Sequence, residues 1–167
     1  QGGIEIYNND FYGGKNAIDL SGNVSSHKNN YDYSYSVHNN RFYNTGANTT
    51  SGRYTITLEG TSTTDILIYD NYFLDCASPV TITEGSFNNQ PITARELKNI
   101  HIYKNIMESS GYDNSGIYSN VISLNNGAIG SNMSDIYILN NVIISDVTRN
   151  TGIKINIGGS GAIAQNI

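Results

Sequence analysis

The sequence predicts an all-β solenoid of about five coils, each carrying three short strands that stack in parallel on those of the coil before. Three observations lead there. An eight-residue template, apolar-x-apolar-x-x-Asn-x-apolar, is written five times at starts 4, 35, 66, 100 and 136, in steps of 31, 31, 34 and 36 residues. Each copy is followed by a second apolar pair in strict alternation, the mark of a strand with one buried face. No window has helical periodicity, and no two-residue Asn-Gly turn joins neighbouring runs directly into a hairpin, so neither βαβ units nor meanders fit.

Taken in order, the templates are Ile4-Glu5-Ile6-Tyr7-Asn8-Asn9-Asp10-Phe11, Tyr35 to Phe42, Ile66 to Phe73, Ile100 to Met107 and Ile136 to Ile143. Their first two apolar positions define one strand. The apolar step at Phe11, Phe42, Phe73, Met107 and Ile143 starts a second, just past the asparagine. The doublets Ile18-Asp19-Leu20, Ile56-Thr57-Leu58, Val80-Thr81-Ile82, Ile122-Ser123-Leu124 and Ile153-Lys154-Ile155 supply the third. Asn9, Asn40, Asn71, Asn105 and Asn141 share one template position at a sharp bend, where backbone groups lack sheet partners. A stacked column of amides can satisfy them.

Composition agrees. Only 14% of residues are charged, 17 are Gly and 25 are Asn, and most of that asparagine falls between the apolar runs, where it tolerates turns and left-handed backbone. A net charge of −5 excludes a basic field for nucleic acid. No apolar run approaches the roughly 18 residues of a membrane span. Cys76, the single cysteine, rules out an internal disulfide framework and reads as a buried thiol. The chain opens at Gln1-Gly2-Gly3 before a repeat and stops at Gln165-Asn166-Ile167 inside the next. One domain over residues 1–167, uncapped at both ends and part of a longer solenoid, is therefore expected.

The asparagine column and the three-strand coil resemble the right-handed parallel β-helices of the pectate-lyase-like superfamily, with their asparagine ladder. The resemblance covers residues 4 to about 157 and implies a right-handed, single-stranded parallel β-helix. Such folds carry lyases, hydrolases, epimerases, tailspikes and adhesins. Members usually bind polysaccharide outside the sheet that the doublets would form. The outward doublet residues are Asp19, Thr57, Thr81, Ser123 and Lys154, followed two positions on by Ser21, Glu59, Thr83, Asn125 and Asn156, all polar. Long connections at 43–53 and 108–120 flank a short one at 74–79, which places a cleft over Thr81, Thr83 and Glu84.

Glu59 and Glu84, on successive coils, are the best carboxylate pair, with head groups expected about 5–9 Å apart, a range that spans retaining and inverting glycosidases. A lyase instead needs a base for the proton α to a uronate carboxylate and a cation to neutralise that carboxylate. Arg53, leading into a doublet strand, is the first choice for the cation, with Arg95, Lys98, Lys28 and His27 in the flanking loops. The expected substrate contacts are Asp19, Thr57, Thr81, Thr83, Ser123, Asn125, Lys154 and Arg95. The bland alternative, solvated strand ends, applies to each. His38 and His101 read as surface residues. No triad, phosphate loop or zinc spacing can be assembled, and Asp65, Asp70 and Asp75 are spaced by turns rather than as calcium ligands. No cofactor is expected.

The leading expectation is thus an extracellular or surface polysaccharide lyase or glycoside hydrolase acting on an extended acidic glycan. The alternatives are a trimeric tailspike or adhesin, or a purely structural β-helical segment. In the trimeric reading the outward stripe Tyr69, Tyr103 and Leu139 forms the homotrimer interface or receives a covering segment.

Overall fold

The computed structural model describes residues 4–22, 35–46, 54–60, 62–84, 96–108, 120–126, 132–144, 151–157 and 163–165. All regular structure there is β. Coil one holds β1 (Ile4–Tyr7), β2 (Asp10–Tyr12) and β3 (Ile18–Gly22), and coil two β4 (Tyr35–His38), β5 (Arg41–Tyr43) and β6 (Ile56–Gly60). Coil three holds β7 (Ser62–Tyr69), β8 (Tyr72–Leu74) and β9 (Val80–Glu84), and coil four β10 (Glu96–Tyr103), β11 (Ile106–Glu108) and β12 (Asn120–Asn126). Coil five holds β13 (Asn132–Leu139), β14 (Val142–Ile144) and β15 (Thr151–Ile157), and β16 (Ile163–Gln165) follows.

Every third strand belongs to the same sheet. Sheet A runs β1-β4-β7-β10-β13-β16, sheet B β2-β5-β8-β11-β14 and sheet C β3-β6-β9-β12-β15, with all pairings parallel. This is a parallel β-helix-like solenoid. The template sets its register: Ile4, Tyr35, Ile66, Ile100 and Ile136 are successive partners, and so are Ile18, Ile56, Val80, Ile122 and Ile153. The strands of sheet A extend further back than the sequence suggests. β7, β10 and β13 begin four residues before the template, and Leu97 and Met133 enter the core there. Polar Thr64-Asp65, Lys98-Asn99 and Ser134-Asp135 disguise the extension as loop.

Alternation fills the interior. Val37, Ile66, Ile68, Ile100 and Ile102 from sheet A, Phe42, Phe73 and Met107 from sheet B, and Ile56, Leu58, Val80, Ile82, Ile122 and Leu124 from sheet C are all buried. Phe11, Phe42 and Phe73 stack face to face at 4.8 Å per step with interplanar angles of 6° and 9°, one ring per coil. That step is the interstrand spacing itself, so an aromatic repeated at one register position stacks without any side-chain adjustment.

At the bend between sheets A and B the asparagines bond one another. The Asn9, Asn40, Asn71 and Asn105 side-chain amides each donate to the Oδ1 of the next asparagine at 3.2, 3.1, 3.0 and 2.9 Å. Each of those Oδ1 atoms also accepts the preceding asparagine's backbone N–H. The Nδ2 groups of Asn40, Asn71, Asn105 and Asn141 reach back to the carbonyls of Ile6, Val37, Ile68 and Ile102. The amides thus supply the partners that the bent backbone cannot supply itself.

Part of the remaining asparagine has a backbone reason. Among the described residues ten non-glycine positions have positive φ, and nine of them are Asn or Asp, the side chains that best tolerate that region. They fall in three columns: Asn8, Asn39, Asp70, Lys104 and Asn140 before the amide column; Asn44 and Asp75 after sheet B, where Gly13 is the equivalent in coil one; and Asp65, Asn99 and Asp135 inside the long strands of sheet A. Lys104, at φ 55°, is the exception. Lys104→Asn is expected to stabilise the fold by about 0.5–1 kcal/mol, since left-handed backbone costs an ordinary residue roughly 1–2 kcal/mol. A urea titration of the variant checks this. An unchanged midpoint would show that Lys104 carries no strain.

Candidate functional site

In sheet C the polar residues of the doublet strands fall into two register rows. Asp19, Thr57, Thr81, Ser123 and Lys154 are register partners along one row, and Ser21, Glu59, Thr83, Asn125 and Asn156 along the next. The row is not evenly open. Asp19 and Lys154 are exposed and Ser123 half-buried, whereas Thr57 and Thr81 keep only 1% and 5% of their surface. Their Oγ1 atoms have no hydrogen-bond partner, nor does the buried Oδ1 of Asn16, whose Nδ2 donates to Asp19 Oδ2 at 3.0 Å. Asn156 donates to Asn125 Oδ1 at 2.9 Å across the second row.

For Glu59 and Glu84 the backbone alone is described. Glu59 lies opposite Thr83 and Glu84 opposite Gly60, so the two are one register step apart rather than directly paired. Arg53 and Arg95 lie outside the described residues, as do His27 and Lys28. Lys98 sits on sheet A and is exposed.

Cys76 is fully buried at the bend between sheets B and C. Thr45 Oγ1 donates to its sulfur at 3.2 Å, and the thiol is directed at the carbonyls of Leu74 and Phe42 at 3.3 and 3.4 Å. Burial pushes the thiol's pKa up, so the group stays protonated and unreactive.

On the outside of sheet A, Tyr7, His38, Tyr69 and Tyr103 form a continuous ring stack with steps of 5.2, 4.7 and 5.0 Å. His38 was expected at the surface but is 9% exposed. The flanking rings cover both its faces, and its Nε2 meets Glu5 Oε1 at 2.9 Å. Leu139 continues the column and, with Leu67 and Tyr137 beside it, is exposed.

Sequence reasoning missed the outside of sheet B. Arg41 donates to both Asp10 carboxylate oxygens, Nε to Oδ1 at 2.6 Å and Nη2 to Oδ2 at 2.8 Å. Tyr72 donates its hydroxyl to Glu108 Oε2 at 2.8 Å, which raises the phenol pKa, and its ring meets Tyr43 edge-on at 6.1 Å. Between this face and the bend lies a cavity of about 360 Å³ bordered by Asp10, Arg41, Tyr72, Asn40 and the left-handed residues Asn8, Asn39 and Asp70. Aligning the template's variable positions down the coils, rather than along the chain, is the signal that would have found it.

Among the described residues no group of three His, Cys, Asp or Glu side chains is placed to hold a metal ion, and no helix is long and apolar enough to cross a membrane. Comparison with protein-family models, with curated proteins and with solved structures gives no match.

Proposed function

We propose that this chain is a right-handed parallel β-helix of the pectate-lyase-like type, with the amide column as its asparagine ladder. In this reading it binds an extended, acidic glycan over the outside of sheet C as part of an extracellular or surface polysaccharide lyase or glycoside hydrolase. The observation that carries the reading is the pair of threonine hydroxyls. Thr57 and Thr81 are in register on adjacent strands, withdrawn from solvent, and without partners. A buried hydroxyl left unpaired costs about 1–3 kcal/mol. Two such groups at neighbouring rungs of a polar face suit a ligand whose own hydroxyls repeat along the solenoid axis and whose binding uncovers Thr57 and Thr81. Asp19, Ser123, Asn125, Thr83 and Lys154 would extend the contact, Lys154 and the loop cations Arg53 and Arg95 meeting uronate carboxylates. Glu59 is the first carboxylate assigned to proton transfer, and Glu84, one register step off its row, would have to reach it from the strand end.

The double variant Thr57→Val/Thr81→Val separates this from a structural role. Valine keeps the shape and removes the orphaned hydroxyls, so stability should rise by about 1–2 kcal/mol, while affinity for an oligouronate should fall about tenfold, the equivalent of two lost neutral hydrogen bonds. Calorimetric titration with oligogalacturonate and oligoalginate reads the binding. Absorbance of an unsaturated product and new reducing ends read lyase and hydrolase turnover, each to be abolished by Glu59→Gln. Binding that the double variant leaves intact, or no binding by any oligouronate, overturns the proposal.

One observation favours a second reading. The ring stack on sheet A ends in exposed Leu139, with Tyr137 and Leu67 exposed beside it. That stripe suits a threefold tailspike or adhesin interface made through Tyr69, Tyr103 and Leu139, and sedimentation of the purified chain decides it.

A further inference from the structure

The cavity beside sheet B has the form of a groove that follows the solenoid axis. One wall is the left-handed column Asn8, Asn39 and Asp70, the other the outward row Asp10, Arg41 and Tyr72, and the buried Asn40 belongs to its floor. Asp10, Arg41 and Tyr72 are register partners on three successive strands, so each coil contributes one residue to each wall. With strands about 4.8 Å apart, the groove is about 10 Å long.

Its chemistry is mixed at every rung. Arg41 commits two of its five N–H groups to Asp10, which leaves three as donors. Asp70 is an exposed carboxylate, and the Asn8 amide adds a donor and an acceptor. Asn39 Nδ2 is directed at His38 Nδ1, which leaves its Oδ1 as an acceptor. Tyr72 holds its ring fixed through Glu108 and Tyr43, giving a half-buried apolar wall. Charge decides the class of ligand. Among the lining residues Asp10 and Arg41 cancel and Asp70 adds one carboxylate, which Lys104 follows one rung on in the same column, so no excess of positive charge draws an anionic chain. A divalent cation finds Asp10 already engaged by a guanidinium. Hydroxyl groups, each both donor and acceptor, match the alternating lining, and an aromatic wall suits the apolar face of a sugar ring.

We infer that this groove is a second glycan-binding site, specific for a short stretch of neutral oligosaccharide laid along the axis. It lies at the bend between sheets A and B and shares no residue with the sheet C face. It is independent of the acidic-glycan reading of that face.

The test is backbone amide chemical-shift mapping of the whole chain with cellohexaose, maltohexaose, chitohexaose and mannohexaose at millimolar concentration. Hexagalacturonate and calcium chloride run as separate arms. At least one neutral hexasaccharide should move the Asn8, Asn39, Asp70 and Tyr72 resonances while leaving Thr57 and Thr81 in place. Arg41→Ala should weaken that binding about tenfold or more, the effect of losing hydrogen bonds to a charged group. Asp70→Gly should do the same, and glycine accommodates the left-handed backbone at that position, so both variants should retain the native spectrum elsewhere. The inference fails if no neutral hexasaccharide moves the groove resonances, if both variants bind as the unmodified chain does, or if hexagalacturonate or calcium alone moves them in preference. Loss of oligouronate binding on sheet C would leave this result untouched, so the two readings fail separately.

Discussion

Asn71→Ala is expected to destabilise the solenoid by about 4 kcal/mol, taking about 1–3 kcal/mol for each of two buried backbone groups that lose a partner. The side chain is 2% exposed and works in both directions along the stack. Its Oδ1 accepts from the backbone N–H of Asn40 at 3.0 Å and from the Asn40 amide at 3.1 Å, and its Nδ2 donates to the carbonyl of Val37 at 2.9 Å. Alanine leaves the Asn40 N–H without an acceptor and removes that donor from Val37. The Asn40 amide still has the carbonyls of Ile6 and His38, so it adds little to the cost. The cost should follow burial along the column: Asn105→Ala should resemble Asn71→Ala, while exposed Asn9 should cost much less. Asn71→Asp sharpens the test, because a carboxylate of the same shape cannot donate and would face the Val37 carbonyl and Asn105 Oδ1. Its penalty should exceed that of alanine at neutral pH and shrink on acidification, when protonation restores one donor. Urea titrations of the four variants, repeated for Asn71→Asp at acidic pH, measure all of this. Equal costs for Asn9 and Asn71 would mean that the column carries no buried hydrogen-bond energy.

Register was legible because it follows from a period. A strand whose apolar residues alternate, repeated every 31 to 36 residues, can stack on its sibling in one way without moving its core face outward. The pairing of Ile66 with Tyr35 and Ile100 is therefore readable before any coordinates. What alternation cannot say is what lies beyond an outward position. Thr57 and Thr81 point outward by pattern yet are shielded from solvent. His38 is outward by pattern yet closed off by rings contributed 31 residues away on either side. The groove on sheet B was invisible for a related reason. Asp10, Arg41 and Tyr72 occupy variable template positions, and they become neighbours only when three coils are read side by side. Asp70, read from the sequence only for its spacing from Asp65 and Asp75, has left-handed backbone at the bend and borders the groove.

Phe73→Ala is expected to cost about 3–5 kcal/mol, the range for removing a buried phenylalanine ring. It should also do something that Asn71→Ala does not. Phe73 is fully buried in the middle coil, stacked on Phe42 at 4.8 Å on one side and registered with Met107 on the other. In a solenoid each coil contacts chiefly its neighbours, so stability divides into coil terms and interface terms. Removing the central ring empties both interfaces at once, and the flanking side chains belong to rigid strands that cannot collapse into the space. Coils one and two then couple more weakly to coils four and five, and the single unfolding transition should broaden or split. Hydrogen exchange by mass spectrometry reads this directly: protection in β4–β6 and in β10–β12 should separate in Phe73→Ala while remaining equal in the unmodified chain. Phe73→Leu, which refills most of the volume, should recover most of the loss and restore coincident exchange. If alanine lowers protection equally everywhere, coupling between coils runs through the sheet hydrogen bonds and the amide column, and the phenylalanine stack contributes bulk burial alone.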